Sequence, residues 1–365
     1  MTPSDHAGYV PFLKGKRGEF RALAQLNFEQ RQMLAPLIDV PPEKVEFFPD
    51  EVFQIDTVDQ ALDGYAAKVA ETWGQLDTCF VDLAGFDPAL RMADGRHPLT
   101  AFFADARAAD LAAVPVTGPS RDAAQLEAVE QIVEVWRLGA AVRLHRPELS
   151  EPEHLAERLA RLLRIIGQQP SQVDLLLDFG ELLKSEAGAI EAQARAAILA
   201  LPDVQDWRSL VLCTGAYPEA VRIETNSSGE LPRHDWMLWR RLISATDDLP
   251  RIPTFGDYGV SAADWGDPYN PLVMTPACKI IYATEEDWVM VKGSSVENGY
   301  EQYRDLAAQV KARGEFLTKD HCQGEEKIIE CAAGRGGVGN LETWVTVATR
   351  RHIEVVSRQL TSLPA

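Results

Sequence analysis

Eight short apolar runs recur along this chain with helix-like segments between them, and this rhythm limits its fold more than any other feature. The runs cover residues 9–14, 35–40, 78–83, 113–117, 140–145, 173–179, 209–214 and 252–257. Most are apolar at nearly every position. A strand wetted on one face alternates apolar with polar residues, so near-continuous runs imply parallel strands covered on both faces.

The segments between them have helical spacing. Ser150-Glu-Pro-Glu153 has the S-x-x-E form of a capping box, with proline in the first turn where its missing N–H does no harm. Leu155, Leu159, Leu162 and Ile166 then mark one apolar stripe. Segments 121–136 and 187–201 repeat the pattern. Eight strand–helix repeats within residues 1–275 match the usual size of a closed barrel, so the expected fold is α/β, a (β/α)8 TIM-like barrel. An open doubly wound sheet is the alternative, because pattern alone does not establish closure.

Two stretches break the rhythm. Residues 41–56 are aromatic and acidic. From Pro276 onward, runs 279–284 and 288–292 flank Glu285-Glu286-Asp287 and read as an antiparallel hairpin. A helix over 300–313 is a candidate for the last barrel helix. Residues 320–333 contain another strand-like run, and 341–360 a strong terminal helix. We therefore expect residues 276–365 to be a C-terminal embellishment, hairpin plus helices, packed on the barrel.

Composition narrows the function classes. With 46% hydrophobic and 25% charged residues the chain is ordinary globular protein, not a disordered one. Its formal net charge of −19 repels phosphate backbones, which argues against nucleic-acid binding through the general surface and suits solubility or a basic partner. Five cysteines (Cys79, Cys213, Cys278, Cys322 and Cys331), odd in number and without C-x-x-C spacing, indicate neither a disulfide framework nor a zinc knuckle. No apolar run reaches membrane-spanning length, and Met1 to Tyr9 lacks a secretory pattern, so a cytoplasmic location is expected.

In parallel barrels, sites are built where strands end in the C-terminal rim. Polar residues gather at those positions here: Lys14, Lys16, Asp39, Asp82, Thr117, Arg143, His145, Asp178, Thr214 and Asp257. We take Lys14, Asp39, Asp82, Arg143, Asp178 and Asp257 as a candidate rim cluster suited to acid/base work or to binding a divalent metal. Salt-bridged plugs use the same residue types. A buried carboxylate must pair with a cation or be protonated, and Arg143 and Lys14 are the natural partners.

Other motifs are weaker. Thr117-Gly-Pro-Ser-Arg121 opens a helix after a strand and could hold an anion, although ordinary N-capping by Ser120 is the better account. Gly334-Arg-Gly-Gly-Val-Gly339 has the G-x-G-x-x-G spacing but not the opening βαβ context, so a turn before the last helix is the better account. His352 follows Arg350-Arg351 on that helix, has no metal-ligand spacing and could equally be a surface residue. Trp344, Val347, Ile353 and Val356 of the same helix would serve as a docking face or as core.

Tyr9-Val-Pro-Phe-Leu-Lys-Gly-Lys-Arg-Gly-Glu-Phe20 and Pro36-Leu-Ile-Asp-Val-Pro-Pro42 resemble the opening of the phage beta protein family. The similarity continues at Val81-Asp82-Leu83, Pro115-Val-Thr-Gly118, Phe255-Gly-Asp-Tyr258, Gly339-Asn340, Trp344 and His352-Ile353, and so covers nearly the whole chain. That family is named after a satellite-phage protein encoded between a killer protein, Gop, and a cII-like protein. The resemblance implies an anti-phage defence or toxin–antitoxin-like module in which this chain, as an acidic barrel, binds and restrains a toxic protein partner. It brings no catalytic residues with it, and the family favours glutamate at the position of Asp39. A barrel enzyme, a metal-assisted hydrolase or phosphodiesterase, is the competing expectation.

Overall fold

In the computed structural model the eight runs become eight parallel strands that close on themselves. It describes residues 8–42, 45–46, 54–55, 57–74, 77–217, 223–244, 249–265, 275–313, 316 and 325–363. The strands are β1 (Tyr9–Leu13), β2 (Leu37–Asp39), β3 (Val45–Glu46), β4 (Gln54–Ile55), β5 (Cys79–Asp82), β6 (Ala113–Thr117), β7 (Ala140–His145), β8 (Val173–Glu181), β9 (Ser209–Gly215), β10 (Ser227–Pro232), β11 (Thr254–Asp257), β12 (Ala277–Ala283) and β13 (Asp287–Ser295). Around the barrel the order is β1-β11-β9-β8-β7-β6-β5-β2, with β2 paired back to β1, so this is a (β/α)8 barrel and the open-sheet alternative falls.

Strand parity explains the two cores. Val10, Phe12, Leu37, Phe80, Val114, Val116, Ala141, Leu176, Val211 and Cys213 fill the inside of the cylinder. Their alternates, including Leu13, Ile38, Val81, Val142, Leu175, Leu177 and Leu212, face the helices in the larger outer core. Both faces are dry, which is why the runs lack polar alternation. Each fully buried Leu, Val or Phe contributes about 1.5–3 kcal/mol relative to an exposed one.

The helices are α1 (Arg17–Ala24), α2 (Phe28–Gln32), α3 (Val58–Leu62), α4 (Tyr65–Trp73), α5 (Pro98–Ala108), α6 (Ala123–Trp136), α7 (Arg146–Leu149), α8 (Leu155–Ile165), α9 (Ala187–Ala200), α10 (His234–Ser244), α11 (Tyr303–Lys311), α12 (Glu326–Ala332) and α13 (Leu341–Thr361). Two caps differ from expectation. Asp122, not Ser120, caps α6 by accepting from the N–H groups of Ala124 and Gln125 at 2.9 and 3.1 Å. Ser150 ends α7, its Oγ donating to the Arg146 carbonyl at 2.7 Å, so no capping box opens α8. The stripe of Leu155, Leu159, Leu162 and Ile166 is buried as its spacing requires.

Beyond the barrel, β12 and β13 form the expected hairpin, and β10 adds a third antiparallel strand that the sequence did not reveal. The helix expected over 300–313 lies against this sheet rather than on the barrel, with Tyr303, Leu306 and Val310 packed among Ile280, Tyr282 and Val291. The strand-like run within 320–333 is corrected to helix α12 over its described part, because Ile328 and Cys331 are one helical turn apart and share that core. Residues 317–324 and most of 41–56 lie outside the described residues, although β3 and β4 pair within the latter. The terminal helix α13 packs against α1, β1 and β12, with Ile353 and Val356 in the outer barrel core. Trp344, Val347, Ile353 and Val356 are all buried, so they are core and not a docking face. The Gly334–Gly339 stretch is the turn between α12 and α13, with Gly334, Gly336 and Gly339 at positive φ. Cys79, Cys213, Cys278 and Cys331 are free and buried, while Cys322 is outside the described residues.

Candidate functional site

Five of the six candidate residues meet at the C-terminal mouth of the barrel. Lys14, Asp39, Asp82, Arg143 and Asp178 share inward parity with the cylinder's apolar filling, one step above Phe12, Leu37, Phe80, Ala141 and Leu176. Gly118 lets this layer close. A Cβ there would stand 2.6 Å from the Arg143 carbonyl oxygen.

Arg143 is the centre. Its Nη1 donates to Asp82 Oδ2 at 2.8 Å, its Nε to Asp178 Oδ2 at 2.8 Å, and its Nη2 to the Tyr258 hydroxyl at 2.8 Å. The Tyr258 hydroxyl donates in turn to Asp178 Oδ2 at 2.6 Å, and the Gly180 N–H to Asp178 Oδ1 at 2.9 Å. Asp82 also accepts from Arg121 Nη2, at 3.0 and 2.9 Å, and from the Ala84 N–H at 2.9 Å. Burial alone would raise both carboxyls. Arg121 and Arg143 outweigh it at Asp82, and Arg143, His145 and the Tyr258 hydroxyl do so at Asp178, so both lie below the usual carboxylate range.

Asp39 differs from its neighbours. Its Oδ2 accepts from Lys14 Nζ at 3.1 Å, but its Oδ1 is buried with no partner among the described residues. Burial therefore prevails over the pull of Arg143 and Lys14, and its carboxyl is pushed up. Lys14 gives a second hydrogen bond to the Ala263 carbonyl at 2.6 Å and lies 4.6 Å from the Trp265 ring centroid. His145 reaches the outer edge of the cluster, its Nδ1 3.6 Å from Asp178, and burial with Arg143 beside it holds its imidazole below the ordinary value.

Asp257 is a correction to the expected cluster. It has the same parity as Phe255 in the outer core, so its carboxylate points away from the barrel axis toward α13. There Oδ2 meets His352 Nε2 at 2.6 Å and Oδ1 accepts from the Tyr9 hydroxyl at 2.6 Å. His352, for which a surface place was one reading, is 1% exposed and stacks on Trp288 with centroids 4.5 Å apart. Thr117 likewise faces outward, donating to Gln125 Oε1 at 3.1 Å. Thr214 shares the outward parity of Leu210 and Leu212. Lys16 is exposed just past the rim.

Tyr258 and His352 were missed as site residues, and Arg121 was read only as part of a turn that could hold an anion. Arg121 stands where an anion was expected, and the anion it holds is the side chain of Asp82. Among the described residues no group of three or more His, Cys, Asp or Glu side chains is placed to hold a metal ion. The Asp82 and Asp178 oxygens that would ligate one already accept from arginine, tyrosine or backbone N–H groups. None of the described helices is long and apolar enough to cross a membrane.

These features define a class: a parallel (β/α)8 barrel whose mouth is tied together by buried ion pairs. The family model described as Beta protein matches residues 9–358, and the chain belongs to that family. No curated protein matches it.

Proposed function

We propose that this chain is a non-catalytic, partner-binding component of an anti-phage defence or toxin–antitoxin-like module, in which the acidic barrel binds and restrains a toxic protein in the cytoplasm. The observation that supports this reading most is the state of the mouth. Barrel enzymes keep acids and bases there free to act, whereas Asp82 and Asp178 are each held by arginine with their oxygens occupied. Such a barrel is a rigid scaffold. The module is what the resemblance to the phage beta protein family implies, and a net charge of −19 suits a basic partner.

Co-expression with the killer gene of the same cluster tests it. Survival with the chain present and death without it is the expected outcome, and the purified pair should associate more slowly as salt rises. Equal lethality in both strains would sink the idea.

One observation favours a second reading, a metal-assisted hydrolase or phosphodiesterase. His145 and Arg121 line a cavity of about 380 Å³ beside Asp82, and Asp39 keeps one unpartnered oxygen. Calorimetric titration with Mn²⁺ separates the two. Stoichiometric uptake lost in Asp39→Asn would favour the enzyme, and no uptake would favour the scaffold.

A further inference from the structure

A second cavity, of about 300 Å³, lies between the barrel mouth, the β10–β13–β12 sheet and the first turn of α13. Its lining inverts the charge of the molecule. The chain as a whole has 36 Lys and Arg against 55 Asp and Glu, yet Lys14, Lys16 and Lys279 line this cavity with Asp264 as their single acidic companion among the lining residues. Lys16 and Lys279 are exposed and form no ion pair among the described residues. Lys279 Nζ is oriented by the Tyr217 hydroxyl at 3.1 Å. Lys14 uses two of its three donors on Asp39 and Ala263, which leaves one. The remaining wall is largely aromatic and aliphatic, with Trp265, Tyr217 and Trp344 among its residues.

Lysines set against aromatic rings, Lys14 at 4.6 Å from the Trp265 centroid and Lys279 at 5.7 Å from that of Tyr217, suit a ligand with one compact anion and one flat ring. The volume is at the lower end for a small-molecule site, which admits one ring, one sugar and one phosphate but not a dinucleotide. We infer that this cavity binds a nucleoside monophosphate, with the phosphate on Lys16 and Lys279 and the base among Trp265 and Tyr217. Gly15, at φ +61° beside Pro41 and the Tyr65 hydroxyl, makes the turn that carries the chain from buried Lys14 to exposed Lys16. Bound ligand would then touch the loops after β1 and β11 together with β12, tying the added sheet to the barrel mouth.

The test uses the full chain alone, so it is independent of the partner proposal. AMP, GMP, CMP and UMP are titrated by calorimetry, with inorganic phosphate and adenosine as half-ligands. At least one monophosphate is expected to bind with a Kd below about 1 mM and about tenfold more tightly than either half-ligand. Lys16→Ala/Lys279→Ala should weaken it by at least about tenfold while the chain stays folded, since both side chains are exposed and the fold loses only the Lys279–Tyr217 hydrogen bond. The inference is overturned if no monophosphate binds, if inorganic phosphate binds as tightly, or if the double variant binds like the parent chain.

Discussion

The floor and the mouth of this barrel are built alike, each tied by a buried arginine to aspartate. At the floor, Arg208 Nε donates to Asp174 Oδ2 at 3.1 Å, its Nη1 to the Leu138 carbonyl at 2.7 Å, and Ser209 Oγ to Asp174 Oδ1 at 2.6 Å. At the mouth, Arg143 does for Asp82 and Asp178 what Arg208 does for Asp174. In barrel enzymes the floor serves stability and the mouth serves chemistry. Here buried ion pairs tie both ends. They differ at the margins: the floor leaves no oxygen of Asp174 unpaired, whereas the mouth leaves Asp39 Oδ1 unpartnered and Arg121 and His145 partly open to solvent.

The largest effect should come from breaking each plug at its centre. Arg143→Met takes from buried Asp178 its arginine and from buried Asp82 one of its two, whereas Arg208→Met takes the arginine of Asp174 alone, which keeps its bond from Ser209. Urea unfolding should show losses of about 3–5 kcal/mol for both, with Arg143→Met the worse. Groups held in strain for function commonly give the opposite sign when removed. A more stable Arg143→Met with a less stable Arg208→Met would break the likeness of mouth and floor.

A pH series sharpens the contrast between the mouth and the barrel wall. Asp82 and Asp178 lie below the unfolded carboxylate value, so their contribution is present above that value and is lost as pH falls through their folded pKa. Asp235, on α10 beside Asp257, runs the other way. Burial first, then the Asp257 charge, push it up to about 6 against the opposing Arg233 and His352. The folded state then holds a proton the unfolded chain has released, so this contribution is full below about pH 4 and lost as pH rises to about 6. Asp235→Asn should flatten the stability profile in that window by up to about 1.4 kcal/mol per pH unit and leave the limb below pH 4 unchanged. An unaltered slope between pH 4 and 6 would remove Asp235 as its source.

How much of this the sequence disclosed depends on distance along the chain. The barrel was legible because each apolar run is local, and so were five of the rim residues, as polar ends of those runs. Asp257 ends its run just as Asp82 does, yet faces the other way. Which residues of a strand point inward depends on its register with neighbours, and β11 pairs with β1 from the far end of the chain. Tyr258, one residue later, is the inward group there. Strand β10 lies 55 residues or more from its partner β13, and its Ser-Ser-Gly-Glu-Leu-Pro composition has no strand signal. His352 meets Asp257 across 95 residues, which no local pattern encodes.

Arg121 is the place where the mouth departs most from a sealed floor, and its removal should have an intermediate effect. Asp82 would lose the two contacts from Nη2 but would keep Arg143 Nη1 and the Ala84 N–H. Arg121→Ala should therefore destabilise by about 1–2 kcal/mol, well short of Arg143→Met, because no carboxylate is left bare. His145→Ala is the smallest step. Its side chain is 37% exposed and its Nδ1 is 3.6 Å from Asp178, beyond hydrogen-bond reach, so stability should move by no more than about 0.5 kcal/mol. The order Arg143, Arg121, His145 thus measures how far the plug extends toward solvent. If His145→Ala cost as much as Arg121→Ala in urea unfolding, the tied layer would reach the outer rim. The 380 Å³ cavity beside it would then be part of the plug instead of a space left open for a ligand.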